Sequence, residues 1–184
     1  TLFNRLTGTR QTTGNWPGVT VEKKTGVIRQ SRGELIVIDL PGIYSLSPYS
    51  LEETITRNYI VDECPDVVVN IIDATNLERN LYLASQVIEL GLPVVVACNV
   101  MDLLENAGHS LQTAKLSEAL GVPVVPTVGN RSRGIQDLLT QSHRVARRAA
   151  DRTLRTVTYG HGVDEEVDAL AARVAADPKL SSRY

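Results

Sequence analysis

Four short stretches of this 184-residue sequence carry residues able to do chemistry, and three of them follow an apolar run. The first, Asp39-Leu40-Pro41-Gly42 within DLPGIYSLS, follows ELIVI. A carboxylate at the end of a buried strand can reach a magnesium ion, and a glycine three residues on can turn its amide toward a phosphate. Pro41-Gly42 also suits an ordinary strand-ending turn, so the spacing alone leaves both readings open. The second, Asn99-Val100-Met101-Asp102, follows LPVVVAC. A carboxylate there can accept two hydrogen bonds from guanine, whose N1–H and N2 amine lie side by side, whereas adenine offers no such pair. A helix-capping aspartate ahead of Leu103 is the alternative.

The third stretch is Gly14-Asn15-Trp16-Pro17-Gly18-Val19-Thr20, where Thr20 could offer its hydroxyl to magnesium and its amide to a terminal phosphate. The glycines would let such a loop reorganise between nucleotide states. Trp16 looks exposed there, and a tryptophan pinning a surface is the plain alternative. The fourth, TVGNRSRG (Thr127–Gly134), follows the last apolar run, and its backbone amides could touch the guanine O6. These stretches stand in the sequence order of a guanine-nucleotide switch. Two usual parts differ. Ile43 occupies the place of a water-positioning glutamine and cannot orient water, so hydrolysis would lean on metal ions and backbone amides. Val100 replaces the lysine of the usual Asn-Lys-x-Asp motif, which predicts fast GDP release. The phosphate cradle Gly-x-x-x-x-Gly-Lys-Ser/Thr does not occur in these residues.

The elements that must position these residues alternate. Glu34–Leu40, Asp66–Asp73, Leu92–Cys98 and Val122–Pro126 read as strands buried on both faces. Leu51–Val61, Leu77–Leu90, Leu111–Leu120 and Gly134–Ala150 read as amphipathic helices, with Gly91 and Gly121 as helix stops. Such alternation predicts a mostly parallel α/β sheet with helices on both faces and ligands at the strands' carboxyl ends. Val19–Gln30 reads as an edge strand interrupted by Thr25-Gly26. The opening TLFNRLTG reads as a helix whose first residues lie upstream. Beyond Ala150, a short extended Leu154–Tyr159, a break at Gly160-His161-Gly162 and a helix Val163–Ala176 read as the start of another region, cut off at Tyr184.

Composition fits a globular domain: 42% hydrophobic, 22% charged, formal net charge −2. That balance gives no reason to expect nucleic-acid binding, and the arginines of Arg144–Arg152 suit a solvated helix face. No apolar run approaches the ~20 residues of a membrane span, and no signal peptide is visible, so the chain is expected to be soluble. Cys64 and Cys98 lack metal or redox spacing, and Cys98 is expected to be a reduced core thiol. His109, His143 and His161 lack ligand spacing. Glu52 and Glu53 suit capping and the helix dipole better than water activation.

GNWPGVTVEKKTG, DLPGIYSLSPYSLEE, DATNLERNLYLASQ and NVMD together resemble the amino-terminal G domain of the FeoB family of bacterial ferrous-iron transporters, over residues 1 to about 150. TLFNRLTG resembles the segment after the phosphate-binding P-loop of translation-factor-type GTPases. The resemblance implies an α/β, Ras-like P-loop GTPase fold lacking here its first strand and P-loop. Residues 151–184 would be a short truncated helical extension, the start of a GDI-like (S) domain. It implies slow GTP hydrolysis that depends on the absent P-loop, with Thr20 and Gly42 as catalytic residues. Thr20 and Asp39 would hold Mg2+, Gly42 would read the γ-phosphate, and Asn99, Asp102, Val128, Gly129 and Asn130 would contact guanine. Backbone carbonyls of Gly14 and Trp16 would help hold K+. The implied partners are GTP or GDP, a downstream membrane domain of the same chain, small accessory Feo proteins and a second copy, without nucleic acid, at the cytoplasmic face of the inner membrane. VGNRSRG departs from the family's commoner SARxGxG. Two competing readings are a ribosome- or tRNA-associated assembly GTPase and a regulatory module that binds no nucleotide.

Overall fold

The run VVVACN can satisfy its backbone and hide its side chains only in the middle of a covered sheet, and Val94 to Cys98 are all at most 2% exposed. It is β5 of a computed structural model that describes residues 2–8, 11–30, 33–148 and 160–176. The chain divides into two compact units, Thr1–Leu154 and Arg155–Tyr184. In the first, the strands are β1 (Gln11–Asn15), β2 (Glu22–Gln30), β3 (Gly33–Asp39), β4 (Val68–Asp73), β5 (Val94–Asn99) and β6 (Val124–Pro126). Its helices are α1 (Leu2–Thr7), α2 (Leu51–Glu63), α3 (Leu77–Glu89), α4 (Met101–Asn106), α5 (Thr113–Leu120) and α6 (Ile135–Arg148). The second unit contributes α7 (His161–Ala176).

β4, β5 and β6 form a parallel sheet in that order. On one face Val95, Ala97 and Val125 pack with Leu2 of α1 and Leu138 of α6. Alternation along the strands sends Val94, Val96 and Cys98 to the other face, where α3 packs with Ala84, Val87 and Ile88 buried. The register pairs Asp73 with Asn99 and Cys98 with Pro126, so the chain leaves all three strands at one end. Ligand-binding loops belong at that end of a parallel sheet.

Among the described residues, parallel pairing is confined to these strands. β1, β2 and β3 pair antiparallel in sequence order. β1 was not anticipated, β2 starts at Glu22 rather than Val19, and β2 lies in the middle of its sheet instead of at the edge. Gly26 does not interrupt β2: it is buried, and a Cβ there would run into the Thr7 side chain, so glycine lets α1 close on the strand. The short helix α4 and a 3-10 turn at Gly129–Arg131 were also not anticipated.

α2 begins with a capping box. Ser50 Oγ accepts from Glu53 N at 3.1 Å and Glu53 Oε2 accepts from Ser50 N at 3.0 Å, which is what Glu53 does here. α2 ends at exposed Cys64, and Cys98 is fully buried; both are free thiols. Burial pushes the Cys98 thiol up to about 11, so it stays protonated at neutral pH. Residues 149–150 of the expected sixth helix and the expected extended segment Leu154–Tyr159 lie outside the described residues. Among the described residues no helix is long and apolar enough to cross a membrane, and no cluster of His, Cys, Asp and Glu could hold a metal ion.

Candidate functional site

The loops that leave β5 and β6 are knitted together before any ligand is considered. Thr127 N donates to Cys98 O at 2.8 Å, and Ala74 N to Asn99 O at 2.9 Å. The Asn99 side-chain oxygen accepts from Gly129 N at 3.0 Å and from the Thr127 hydroxyl at 3.3 Å. Asn99 is therefore a clamp that holds the TVGN loop against the NVMD loop. Val100 then adopts a left-handed conformation, φ 64°, costly for a β-branched residue. That turn starts α4 and presents the nearly buried Asp102, 9% exposed. Asp102 does not cap the helix: Val100 holds the cap position and makes no side-chain cap bond. Among the described residues the Asp102 carboxylate forms an ion pair with Arg131, whose Nε lies 3.8 Å from Oδ2, and Arg133 adds a longer-range attraction.

Asn99, Val100, Asp102, Leu103, Val128, Gly129 and Asn130 line a single cavity of about 260 Å³. All five residues expected to contact guanine lie there. An acidic acceptor pair, an apolar wall from Val100, Val128 and Leu103, and backbone groups of the 128–130 turn suit a flat heterocycle with two adjacent donors. Two features hold the turn. Arg5 of α1 donates to Asn130 O at 3.1 Å. Gly134 has φ +79° and its missing Cβ would overlap Pro126 O, so only glycine lets the loop return to α6. Arg5, Arg131 and Leu103 were missed from sequence, because no local pattern ties them to a pocket assembled from distant segments.

The expected phosphate-side residues lie on the antiparallel sheet and its loops. Asp39 ends β3 opposite Lys24, but Lys24 Nζ pairs with Glu22 at 3.1 Å. Burial pushes the Asp39 carboxyl above its ordinary range, with Lys24 opposing. A half-buried carboxylate without a hydrogen bond or ion pair among the described residues fits a cation. Gly42 is exposed, has an ordinary φ, and a Cβ there would meet nothing within 4 Å. The fold does not require glycine at 42, whereas close approach of a phosphate would. Thr20 is exposed in a bend. No hydrogen bond or ion pair joins Thr20, Asp39 and Gly42 among the described residues.

Gly14 lies in β1 opposite Lys23, and the Trp16 carbonyl accepts from Val19 N at 3.2 Å. That oxygen keeps one lone pair for a cation such as K+. The Trp16 ring is buried, contrary to the exposure its loop setting suggested. It is 6% exposed, meets Tyr59 of α2 edge-on at 5.2 Å, and lies under Lys23 Nζ at 4.7 Å.

The family model for ferrous iron transport protein B matches residues 1–142. The chain belongs to this family, FeoB. The Fe(2+) transporter FeoB of Escherichia coli K12 is 42% identical over 187 aligned residues, covering all of this chain and 24% of that protein. A Porphyromonas gingivalis protein that fuses Fe(2+) transport protein A to FeoB is 44% identical over 176 residues, covering 94% of this chain and 21% of its own length. The chain thus spans about a quarter of the length of these relatives. The cytosolic domain of the T. maritima FeoB iron transporter in a GDP form superposes with a TM-score of 0.87 at 35% identity, over 97% of this chain and 70% of that one. The fold is that of FeoB G domains, the Ras-like fold implied by the sequence.

Proposed function

We propose that this chain is the guanine-nucleotide-binding, GTP-hydrolysing module of a bacterial ferrous-iron transporter. The observation that carries the reading is the Asp102 carboxylate in a cavity built before ligand arrives, with Asn99 spent on holding the walls. The GDP form of the T. maritima relative supports the same ligand class. Thr20 and Asp39 would hold Mg2+, and the Gly14 and Trp16 carbonyls K+; such cations offset negative charge on the transferring phosphoryl group. This chain's own contributions are selection of the base by Asp102 and apposition of the Gly42 amide. Turnover is slow because no side chain orients water at position 43. GDP leaves quickly because Val100 supplies no lysine stem over the base.

The module belongs to residues 1–150, with 151–184 starting a helical region; the division between Leu154 and Arg155 supports this. A membrane region of the same gene product would carry iron, with the module at its cytoplasmic face. A small accessory protein as partner belongs to the same proposal; in P. gingivalis, Fe(2+) transport protein A is fused to FeoB. Titration of the full gene product with a fluorescent GDP analogue, competed by GTP, ATP and xanthosine triphosphate, tests the proposal. Competition by GTP alone is the expected result, and equal competition by ATP overturns it.

A further inference from the structure

The stretch DATNLERNLYL holds none of the residues assigned above, yet it is tied to the DLPGIYSLS loop. Asp73 Oδ1 accepts from Thr75 N at 2.8 Å and from the Thr75 hydroxyl at 2.7 Å. Asn80 accepts from Asp73 N at 3.3 Å and donates to Asn76 O at 2.7 Å. These bonds fix the turn from β4 into α3. From that base two α3 side chains reach the loop. The Arg79 guanidinium carbon lies 3.7 Å from the centre of the Tyr44 ring, and Gln86 Oε1 accepts from Leu46 N at 2.9 Å. On the other side the Thr56 hydroxyl donates to Pro41 O at 3.2 Å. Gly42 and Ile43 span the interval between these anchors and make no hydrogen bond among the described residues.

We infer that Arg79 is a positioning residue for GTP hydrolysis, acting through Tyr44 on the path of Gly42 and Ile43; this rests on the GTPase reading above. With isoleucine at position 43, only the course of the backbone can place an amide against the γ-phosphate and shape the space for water. An arginine stacked on the neighbouring ring governs that course from a rigid helix. Tyr44 is 58% exposed, so the stack is not core packing, and losing it costs little stability.

The test uses the full gene product and compares single-turnover GTP hydrolysis with GDP affinity. Arg79→Ala should slow hydrolysis about tenfold while GDP affinity stays within about twofold. Tyr44→Ala should slow it similarly, and Tyr44→Phe, which keeps the ring, should not. The double variant Arg79→Ala/Tyr44→Ala should be no slower than either single, because both remove one contact. Wild-type hydrolysis by Arg79→Ala, or multiplicative losses in the double variant, overturns the inference and leaves the GTPase reading standing. If the unsubstituted protein binds GDP but does not hydrolyse GTP, or binds no guanine nucleotide, the reading itself falls and this inference with it.

Discussion

The two ends of the candidate site are built by opposite rules. At the base end, loops leave parallel strands covered on both faces, and main-chain and side-chain hydrogen bonds join Cys98, Asn99, Thr127 and Gly129 into one wall. At the phosphate end, the antiparallel ladder of β1, β2 and β3 gives way to the 40–50 loop, which is held mainly by side chains: Arg79 on Tyr44, Gln86 on Leu46 and Thr56 on Pro41. Recognition of a rigid base gains from a preformed wall. Sensing of a γ-phosphate needs segments that can move, and those cannot be locked into ladders. The difference teaches where this fold spends its backbone hydrogen bonds and where it withholds them.

The largest expected effect strikes the rigid end. Asp102→Asn turns a pair of acceptors into one acceptor and one donor, so GDP affinity should fall about 100-fold or more. Xanthosine diphosphate, which carries an oxygen where guanine carries an amine, should lose far less or gain. Displacement of a fluorescent GDP analogue by each nucleotide reads this directly, and a GDP loss below about tenfold would remove the cavity from the base-binding role.

Two glycines sharpen the contrast. Gly134→Ala must adopt φ +79° and push against Pro126 O, so it should cost about 2–4 kcal/mol, or roughly 5–10 °C in Tm. Gly42→Ala meets open space at an ordinary φ, so stability should change by less than about 1 kcal/mol while hydrolysis falls. Thermal unfolding and GTPase assays on the pair separate a glycine required by the fold from one required by the ligand. Equal destabilisation would break the comparison.

The rigid end was also the legible one. VVVAC announces a doubly covered strand, and a polar motif at its end has nowhere to go but the ligand side. Asp39 and Thr20 were legible as residue types in order. Strand β1 was not: QTTGN has a glycine, no apolar alternation and four exposed residues, so its strand state comes from pairing with β2. The MDLLEN helix is too short to show a period, and burial of Trp16 depends on Tyr59 and Lys23, whose arrival is a tertiary event. The clamp role of Asn99 needs the register between β5 and β6, which no local pattern records.

The phosphate end has a built-in reporter, since Trp16 is the single tryptophan of the chain. Trp16→Phe keeps an aromatic edge on Tyr59 and loses area under Lys23, at a cost of about 1 kcal/mol in unfolding free energy. In the unsubstituted protein, the buried indole should emit at short wavelength, and a non-hydrolysable GTP analogue with Mg2+ should shift emission to the red as the loop leaves Tyr59. The same emission maximum with GDP and with the analogue would place the hairpin among the rigid parts.

The smallest effect concerns Asp39, and its sign is the informative part. Its carboxyl binds its proton more tightly in the folded state than in the unfolded one, mainly through burial, with Lys24 opposing. Between the unfolded and the folded pKa the native state then holds more protons, so this group's contribution to stability falls as pH rises through that window. Above it the ionised carboxylate, the form a magnesium ion needs, is a net cost to the ligand-free protein. Asp39→Asn should therefore be slightly more stable than wild type at neutral pH without nucleotide, a small effect because the group is partly solvated. The advantage should shrink as pH falls through that window and be lost below the ordinary aspartate range, where the unsubstituted side chain is protonated in both states. Added GDP and Mg2+ should invert the order, because only the carboxylate repays its desolvation by holding the cation. Tm series across pH, with and without ligand, give all three readings. A variant less stable than wild type at neutral pH without nucleotide would mean that Asp39 serves the fold as firmly as anything in the base pocket.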